Sequence, residues 1–274
     1  MTSTTLPRSE LASNLAGWQG GEGPPLLLIH GVGLRAEAWS PMLPILTRHF
    51  AVTAVDLPGH GESSKLQDNS ENTLADFTGR LAELLPDPSQ KVLVIGHSLG
   101  ALIALDLAIS HPAHIAAVLP LNAIYRRSPE ARAAVLNRVE ELAHNDTPDP
   151  TETLVRWFGE QPQGDLLDMA QACRQWLTQV DRIGYYHAYR VFAESDGPAD
   201  SDLKGLPCPA LFVTGSDEPN STPEMSQAMA GLVPRGRAVI IDGARHMMPM
   251  THAAEVCAHL LEFVKHLDGT HAAV

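Results

Sequence analysis

A serine lies between two glycines at the point where an apolar run gives way to a helical pattern. The stretch "KVLVIGHSLGALIAL" places Ser98 in a Gly-x-Ser-x-Gly pattern with Gly96 and Gly100. A strand that turns sharply into a helix strains the backbone of the turn residue, and small residues two positions to either side avoid clashes. Such a turn projects the hydroxyl from the carboxyl edge of a sheet. The pattern predicts a nucleophile at Ser98, with simple helix capping as the alternative.

A serine hydroxyl is a weak nucleophile unless a base removes its proton and an acid orients that base. Both follow downstream: Asp217 ends the apolar run of "PALFVTGSDEPNST", and His246 follows the run of "AVIIDGARHMMPM". We therefore predict a catalytic set of Ser98, Asp217 and His246, which transfers an acyl group to the serine and then to water. Glu218 is the neighbouring alternative acid, whereas Asp242 lies too near His246 in sequence.

A second glycine-rich stretch, "HGVGLRAEAW", begins after the apolar run "PPLLLIH". Its Gly31, Gly33 and Ala36 have the spacing of a dinucleotide-binding turn, and Asp56 lies twenty residues after Ala36, where such folds keep an acid. A dinucleotide turn needs a long helix beginning at the glycines, and two prolines interrupt "LRAEAWSPMLPILT". We therefore expect a loop of another kind, in which Asp56 ties down the segment "DLPGHGES" and His30 supports the backbone.

The composition excludes several classes of protein. The 274 residues are 44% hydrophobic and carry a formal charge of −13, which suits one α/β domain and disfavours a nucleic-acid surface. Three scattered cysteines disfavour a disulfide framework or a zinc site and favour a reducing cytoplasm. The start "MTSTTLPRSE" lacks the pattern of a signal peptide, and no apolar run is long enough to cross a bilayer. We expect a cytoplasmic protein with a small-molecule substrate and no nucleic-acid or membrane partner, and the sequence leaves a homodimer open.

Short apolar runs alternate with helical patterns along the chain. The runs are apolar on both faces, as in strands that helices cover on both sides. The candidate strands are Leu26–His30, Ala51–Val55, Val92–Ile95, Ile115–Leu121, Ala210–Thr214 and Ala238–Ile241. Alternation of this kind predicts a mostly parallel sheet flanked by helices.

One long segment breaks the alternation. Residues 125–205 contain helical patterns separated by breaks such as "NDTPDPTE" and "ESDGPADSD", with no convincing strand. Eight of the fourteen aromatic residues lie there: Tyr125, Trp157, Phe158, Trp176, Tyr185, Tyr186, Tyr189 and Phe192. We predict a helical cap over 125–205, inserted into a core made of 1–124 and 206–274. Its aromatic residues either line a pocket or form the core of the cap.

Five motifs occur in order along almost the whole chain: "HGVG" (30–33), "DLPGHGES" (56–63), "GHSLG" (96–100), "GSDEP" (215–219) and His246. Together they resemble the α/β-hydrolase superfamily, of the compact type with a helical cap. The resemblance implies the α/β-hydrolase fold and serine hydrolysis without a cofactor or metal. It also implies an oxyanion hole formed by the backbone N–H groups of Val32 and Leu99.

Departures from relatives narrow the expected chemistry. A serine nucleophile argues against the dehalogenases and epoxide hydrolases of the superfamily. Val32 stands where cofactor-free haloperoxidases and perhydrolases commonly carry an aromatic residue, and Met247 stands where many carbon–carbon bond hydrolases have tryptophan. We expect hydrolysis of an ester, lactone or amide of a small catabolic molecule. A carbon–carbon bond hydrolase and a cofactor-free haloperoxidase or perhydrolase remain alternatives, as does a hydrolase-like ligand receptor without catalysis.

Three residues are candidates for substrate binding. Arg245 directly precedes His246, where relatives frequently have glycine, and its guanidinium group suits a substrate carboxylate. Trp157 and Tyr186 are the candidates from the aromatic residues of the cap.

Overall fold

The computed structural model describes residues 6–66, 72–144 and 149–269. Eight strands form one sheet in the order β1-β2-β4-β3-β5-β6-β7-β8. Their bounds are β1 (Ser9–Glu10), β2 (Ala16–Gly20), β3 (Pro25–Ile29), β4 (Ala51–Val55), β5 (Val92–His97), β6 (Ile115–Leu121), β7 (Ala210–Gly215) and β8 (Gly236–Ile241). Strand β2 pairs antiparallel with both of its neighbours, β1 and β4. All other neighbouring pairs in the sheet are parallel. The predicted mostly parallel sheet is confirmed.

The six predicted strands are all present, with small shifts at their ends. Every residue of β5 and β7 is buried, which explains why both appear in the sequence as continuous apolar runs. Strand β5 extends to His97 and therefore reaches the residue before Ser98. The sequence did not predict β1 and β2, because β2 reads "AGWQG", with two glycines and no aliphatic run.

Helices cover both faces of this sheet. Their bounds are α1 (Leu43–Leu46), α2 (Leu74–Ala82), α3 (Leu99–Ser110), α4 (Pro129–His144), α5 (Thr151–Phe158), α6 (Asp165–Gln179), α7 (Arg182–Glu194), α8 (Asp200–Lys204), α9 (Pro223–Leu232), α10 (Met248–Thr251) and α11 (Ala253–Gly269). Residues of α2, α3 and α9 share one core cluster with the sheet, while residues of α1, α10 and α11 share the cluster on the other face. Among the described helices, none has both the length and the apolarity needed to cross a membrane.

Five of these helices, α4 to α8, lie between β6 and β7, in the segment that the sequence assigns to a cap. Helix α4 packs on α7, and α5 packs on α6. Phe158 and Trp176 are buried in a separate cluster that Met247 and Met250 complete from the core side. Helix α7 meets the core so closely that a Cβ atom at Gly184 would lie 2.4 Å from the carbonyl oxygen of Gly59.

Asp56 anchors the loops at the carboxyl edge of the sheet, as predicted. Its carboxylate accepts hydrogen bonds from the backbone N–H groups of Ala36 (2.7 Å) and Glu62 (3.0 Å). The Nε group of Arg8 donates to the same carboxylate at 2.7 Å, and the Arg8 guanidinium also contacts Glu37. The side chains of Glu37 and Asp56 are fully buried. This ion-pair group fixes the loop that follows β3 beside the end of β5.

Candidate active site

Ser98 occupies the strained turn that the sequence predicts between β5 and α3. Its φ of 57° and ψ of −118° lie in a region that L-residues rarely adopt. A Cβ atom at Gly96 would lie 1.9 Å from the Gly100 carbonyl oxygen, and one at Gly100 would lie 2.1 Å from the Ile29 carbonyl oxygen. Both glycines are therefore required by close packing. The Ser98 side chain makes no capping hydrogen bond to α3, so helix capping does not explain it.

His246 is oriented by Glu218. The Nδ1 atom of His246 lies 2.8 Å from Oε2 of Glu218, and both side chains are buried. A carboxylate accepts at this distance from an Nδ1–H group, which leaves Nε2 of the ring as the basic nitrogen. The pair is therefore arranged to remove a proton from a hydroxyl group at the other side of the imidazole.

The prediction that Asp217 orients His246 is wrong in its geometry. Strand β7 ends at Gly215, and the following turn is fixed by the Asp217 N–H group, which donates to the Ala244 carbonyl oxygen at 3.1 Å. Asp217 is exposed, and its carboxylate accepts from the adjacent Ser216 hydroxyl at 3.1 Å. The turn carries the next side chain, Glu218, inward, where its additional methylene group helps it to reach the imidazole.

Glu218 is held as an anion by several donors. Its Oε1 atom accepts from the backbone N–H groups of Asn220 (2.8 Å) and Ser221 (3.3 Å). Its Oε2 atom accepts from Nδ2 of Asn122 at 3.0 Å in addition to His246. Burial alone would raise the pKa of Glu218, but His246 and the backbone donors outweigh it and lower the pKa to about 2. The carboxylate is thus ionised at neutral pH.

The rings of His97, at the end of β5, and of Trp157, on α5, hold His246 in place. The Nε2–H group of His97 donates to the His246 carbonyl oxygen at 2.7 Å, and burial lowers the pKa of His97 to about 3. His97 is therefore a neutral support for the backbone. The Trp157 ring of α5 stacks on the His246 imidazole, with 5.4 Å between centroids and 21° between planes. The cap thus contacts the imidazole directly.

The glycine loop after β3 reaches the same place. A Cβ atom at Gly31 would lie 3.0 Å from the Ser98 Cβ atom. Two neutral imidazoles hold the loop: the Leu57 N–H group donates to Nε2 of His30 at 2.9 Å, and the Gly33 N–H group donates to Nε2 of His60 at 3.0 Å. Burial lowers the pKa of His60 to about 4 and that of His30 well below its usual range.

The backbone amides of Val32 and Leu99, which the sequence predicts as oxyanion donors, lie on either side of the turn at Ser98. Leu99 is the first residue of α3, where N–H groups have no partner within the helix. Val32 lies in the turn after Gly31, and its N–H group has no backbone acceptor within the described ranges. Ser98 and Val32 line one cavity. The arrangement can place a carbonyl oxygen near two donors and its carbon near the hydroxyl group of Ser98.

This cavity has a volume of about 1170 Å³ and lies between the carboxyl edge of the sheet and the cap. Ser98, His246 and Trp157 line it, and substrate binding by Trp157 stays a prediction. Arg245 and Tyr186 are not among the described residues that line it. Arg245 is exposed, because the side chain next to the inward-facing His246 points away from the site.

The tyrosines of the cap that line the cavity are not the predicted Tyr186. Tyr185, Tyr189 and Phe192 line the cavity, and their spacing of four and three residues places them on one side of α7. Tyr186 is rotated away from that side and contacts the ring of His187 instead. The helical spacing of the three aromatic residues was the signal in the sequence that identifies this face.

Known proteins match most of this chain. A model described as "Alpha/beta hydrolase family" matches residues 26–259. An (E)-2-((N-methylformamido)methylene)succinate hydrolase of Acinetobacter baylyi is 38% identical over 240 residues, which cover 86% of this chain and 88% of the relative. A pimeloyl-[acyl-carrier protein] methyl ester esterase of Methylococcus capsulatus is 30% identical over 251 residues, covering 89% and 96%.

Solved structures share the same fold. The enol-lactonase of Burkholderia xenovorans LB400 superimposes with a TM-score of 0.79 at 21% identity, covering 94% of this chain and all of that chain. A thermophilic esterase of Thermogutta terrifontis gives a TM-score of 0.80 at 24% identity, covering 95% and 98%.

Proposed function

Because this chain belongs to the alpha/beta hydrolase family and is a hydrolase, we propose that it cleaves an ester, lactone or amide bond of a small molecule through an acyl-enzyme at Ser98. The observation that carries the proposal is the contact of 2.8 Å between His246 Nδ1 and Glu218 Oε2 beside a cavity that Ser98 also lines. The relatives named above act on a formamido compound and on a methyl ester, which supports acyl transfer as the reaction class.

The reaction proceeds in two halves. Nε2 of His246 takes the proton of the Ser98 hydroxyl as its oxygen bonds to the substrate carbonyl carbon. Glu218 stabilises the imidazolium that forms. The imidazolium then gives the proton to the leaving alcohol or amine as the bond to the acyl carbon breaks. A water molecule releases the acyl group by the same steps, and His246 is again the base.

The developing negative charge falls on the carbonyl oxygen. The N–H groups of Val32 and Leu99 are its proposed donors, and each donor of this kind contributes roughly 3–4 kcal/mol to transition-state stabilisation. The positive end of α3 adds to the field at the Leu99 amide. The loop that presents Val32 is fixed by His30 and His60, so the donors are positioned before substrate binds.

Pre-steady-state kinetics test this mechanism against a receptor without catalysis. With p-nitrophenyl acetate, the wild-type protein should release about one equivalent of p-nitrophenolate in a burst, because the acyl-enzyme accumulates. Ser98→Ala should abolish the burst and lower kcat by about 10⁴-fold or more. Matched ester, lactone and amide substrates then identify the bond that is cleaved fastest. A burst that survives in purified Ser98→Ala protein would contradict the mechanism.

A further inference from the structure

Three guanidinium groups line the cap side of the cavity. Arg127 precedes α4, Arg138 lies on α4 and Arg156 lies on α5. The chain as a whole carries a formal charge of −13, whereas the charged residues that line this cavity are three arginines and three carboxylates. The proposed hydrolysis consumes a neutral carbonyl group and gives no role to any of these arginines.

Arg127 has a structural role that accounts for it. Its side chain is buried and packs on the Phe192 ring, with the guanidinium carbon 4.4 Å from the centroid. Its two terminal nitrogens donate to the carbonyl oxygens of Ser195 and Phe192 and reach the Asp196 carboxylate at 3.3 Å. Arg127 therefore stabilises the end of α7, and both of its terminal nitrogens already have acceptors in the protein.

Arg156 has fewer contacts with the protein than Arg127. Its hydrogen bond in the described part of the chain runs from one terminal nitrogen to the Thr153 hydroxyl at 3.2 Å, and no carboxylate there forms an ion pair with it. Arg156 is exposed, and it lines the same cavity as Trp157, which stacks on His246. One terminal nitrogen of Arg138 donates to Glu141 at 2.7 Å, and its other guanidinium donors have no acceptor among the described residues.

Two tyrosines of α7 lie in the field of these arginines. Tyr185 and Tyr189 line the same cavity, and within the described ranges neither hydroxyl has an acceptor. Burial raises the pKa of Tyr185 to about 12, and the positive charges of Arg138 and Arg156 act on both rings. Both phenols therefore remain neutral at physiological pH and can donate hydrogen bonds.

Carboxylates also line the cavity and limit what it accepts. Glu141 is paired with Arg138, and Asp149 lies 3.5 Å from Arg174. Glu152 has no ion pair among the described residues. An anionic ligand gains most where a guanidinium group has open donors, and that condition singles out Arg156 and Arg138.

We propose that Arg156 and Arg138, with the Tyr185 and Tyr189 hydroxyl groups, form a subsite for a substrate carboxylate at the cap side of the cavity. The substrate class is then a carboxylic acid that carries its ester, lactone or amide bond on the same small molecule. This inference rests on the proposed function for the position of the scissile bond. Planar guanidinium groups bind carboxylates through paired charge-assisted hydrogen bonds, which gives the subsite both affinity and orientation.

Calorimetric titration with succinate tests the subsite without any need for turnover. Succinamide, which has the same carbon skeleton and no charge, is the neutral control ligand. We expect succinate to bind the wild-type protein at least tenfold more tightly than succinamide. Arg156→Gln should weaken succinate binding about tenfold, the loss expected of a charge-assisted hydrogen bond. Arg237→Gln, which removes an exposed cation from β8 outside the cavity, should change it less than twofold.

A variant with the opposite expected sign separates the subsite from general damage. Glu141→Gln removes the carboxylate that occupies Arg138, so succinate should bind several-fold more tightly to it than to the wild-type protein. Thermal unfolding of each variant shows whether the fold is intact. Equal binding of succinate and succinamide, no measurable succinate binding, equal effects of Arg156→Gln and Arg237→Gln, or weaker binding by Glu141→Gln would overturn the subsite.

The two proposals fail separately. A protein that gives a p-nitrophenolate burst and shows no preference for succinate keeps the serine mechanism and loses the carboxylate subsite. A protein that prefers succinate and whose Ser98→Ala variant turns over p-nitrophenyl acetate as fast as the wild type keeps the subsite and loses the serine mechanism.

Discussion

Replacement of Glu218 by glutamine is the sharpest perturbation of the site, because the adjacent Asp217 provides a matched control. Glu218 is buried against His246, while Asp217 is exposed on the turn. Both changes remove one negative charge and alter little volume. Glu218→Gln should inactivate the enzyme, and Asp217→Asn should change kcat less than twofold.

The size of the effect follows from the donors around Glu218. Two backbone N–H groups face its Oε1 atom, so the glutamine oxygen should take that position. The glutamine NH₂ group then faces Nδ1 of His246, which must lose its proton to accept. The proton moves to Nε2, where the ring can no longer take a proton from Ser98. Amide replacement of a triad acid that traps the wrong tautomer lowers kcat by about 10⁴-fold, or about 5 kcal/mol of barrier.

The substitution should leave the fold intact. Oδ1 of Asn122 is buried and has no hydrogen-bond partner in the described structure, while its Nδ2 group donates to Glu218. Rotation of the Asn122 amide would present that oxygen to the new glutamine NH₂ group, so the contact between the two side chains is kept and the number of unpartnered buried atoms does not rise. Steady-state kinetics with a p-nitrophenyl ester, alongside thermal unfolding, measure both effects. A greater loss of kcat in Asp217→Asn than in Glu218→Gln would refute the assignment of Glu218.

Two further predictions concern the cap and the buried ion pairs. Trp157→Leu should lower kcat about three- to tenfold, because the indole face stabilises the imidazolium that forms at His246. Trp157→Phe keeps an aromatic face and should retain most of the activity. Equal losses of kcat in the two variants would contradict this role. Arg8→Ala should lower the free energy of unfolding in denaturant by about 3–5 kcal/mol, since it leaves buried carboxylates without their partner. Arg48→Ala, an exposed control, should change it by less than about 0.5 kcal/mol.

The strands that position the site were predictable because helices cover both of their faces. Burial on both faces requires continuous aliphatic runs, and such runs are visible for β3, β5, β6 and β7. Strands β4 and β8 are less buried, but each also contains an apolar run. The turn at Ser98 was predictable for a related reason, since the close approach at Gly96 and Gly100 leaves no space for a side chain. Strand β2 could not be predicted in the same way, because its pairing with β4 is a tertiary contact and its five residues include two glycines.

The orienting acid could not be chosen from the sequence between two adjacent candidates. Both Asp217 and Glu218 follow a strand that is buried on both faces, so periodicity does not say which side chain faces inward. The choice is made by the hydrogen bond from the Asp217 N–H group to the Ala244 carbonyl oxygen, which joins two turns distant in sequence. The catalytic roles of Ser98, Glu218 and His246 remain proposals that the kinetics above can test.

The lining of the cavity was the least predictable feature. Adjacency to His246 suggested Arg245, but neighbouring residues point in different directions, and Arg245 is exposed. Arg138 and Arg156 lie on polar helix faces that are typical of a solvated surface. They line a cavity because α4 and α5 are placed over the sheet edge, and the sequence of either helix alone does not contain that information.

Covalent labelling with a fluorophosphonate, followed by peptide mass spectrometry, tests the central claim most directly. The account predicts one adduct per chain, located on Ser98 and absent from Ser98→Ala protein, with labelling greatly slowed in Glu218→Gln protein. An unlabelled wild-type protein, or an adduct on any residue other than Ser98, would contradict it.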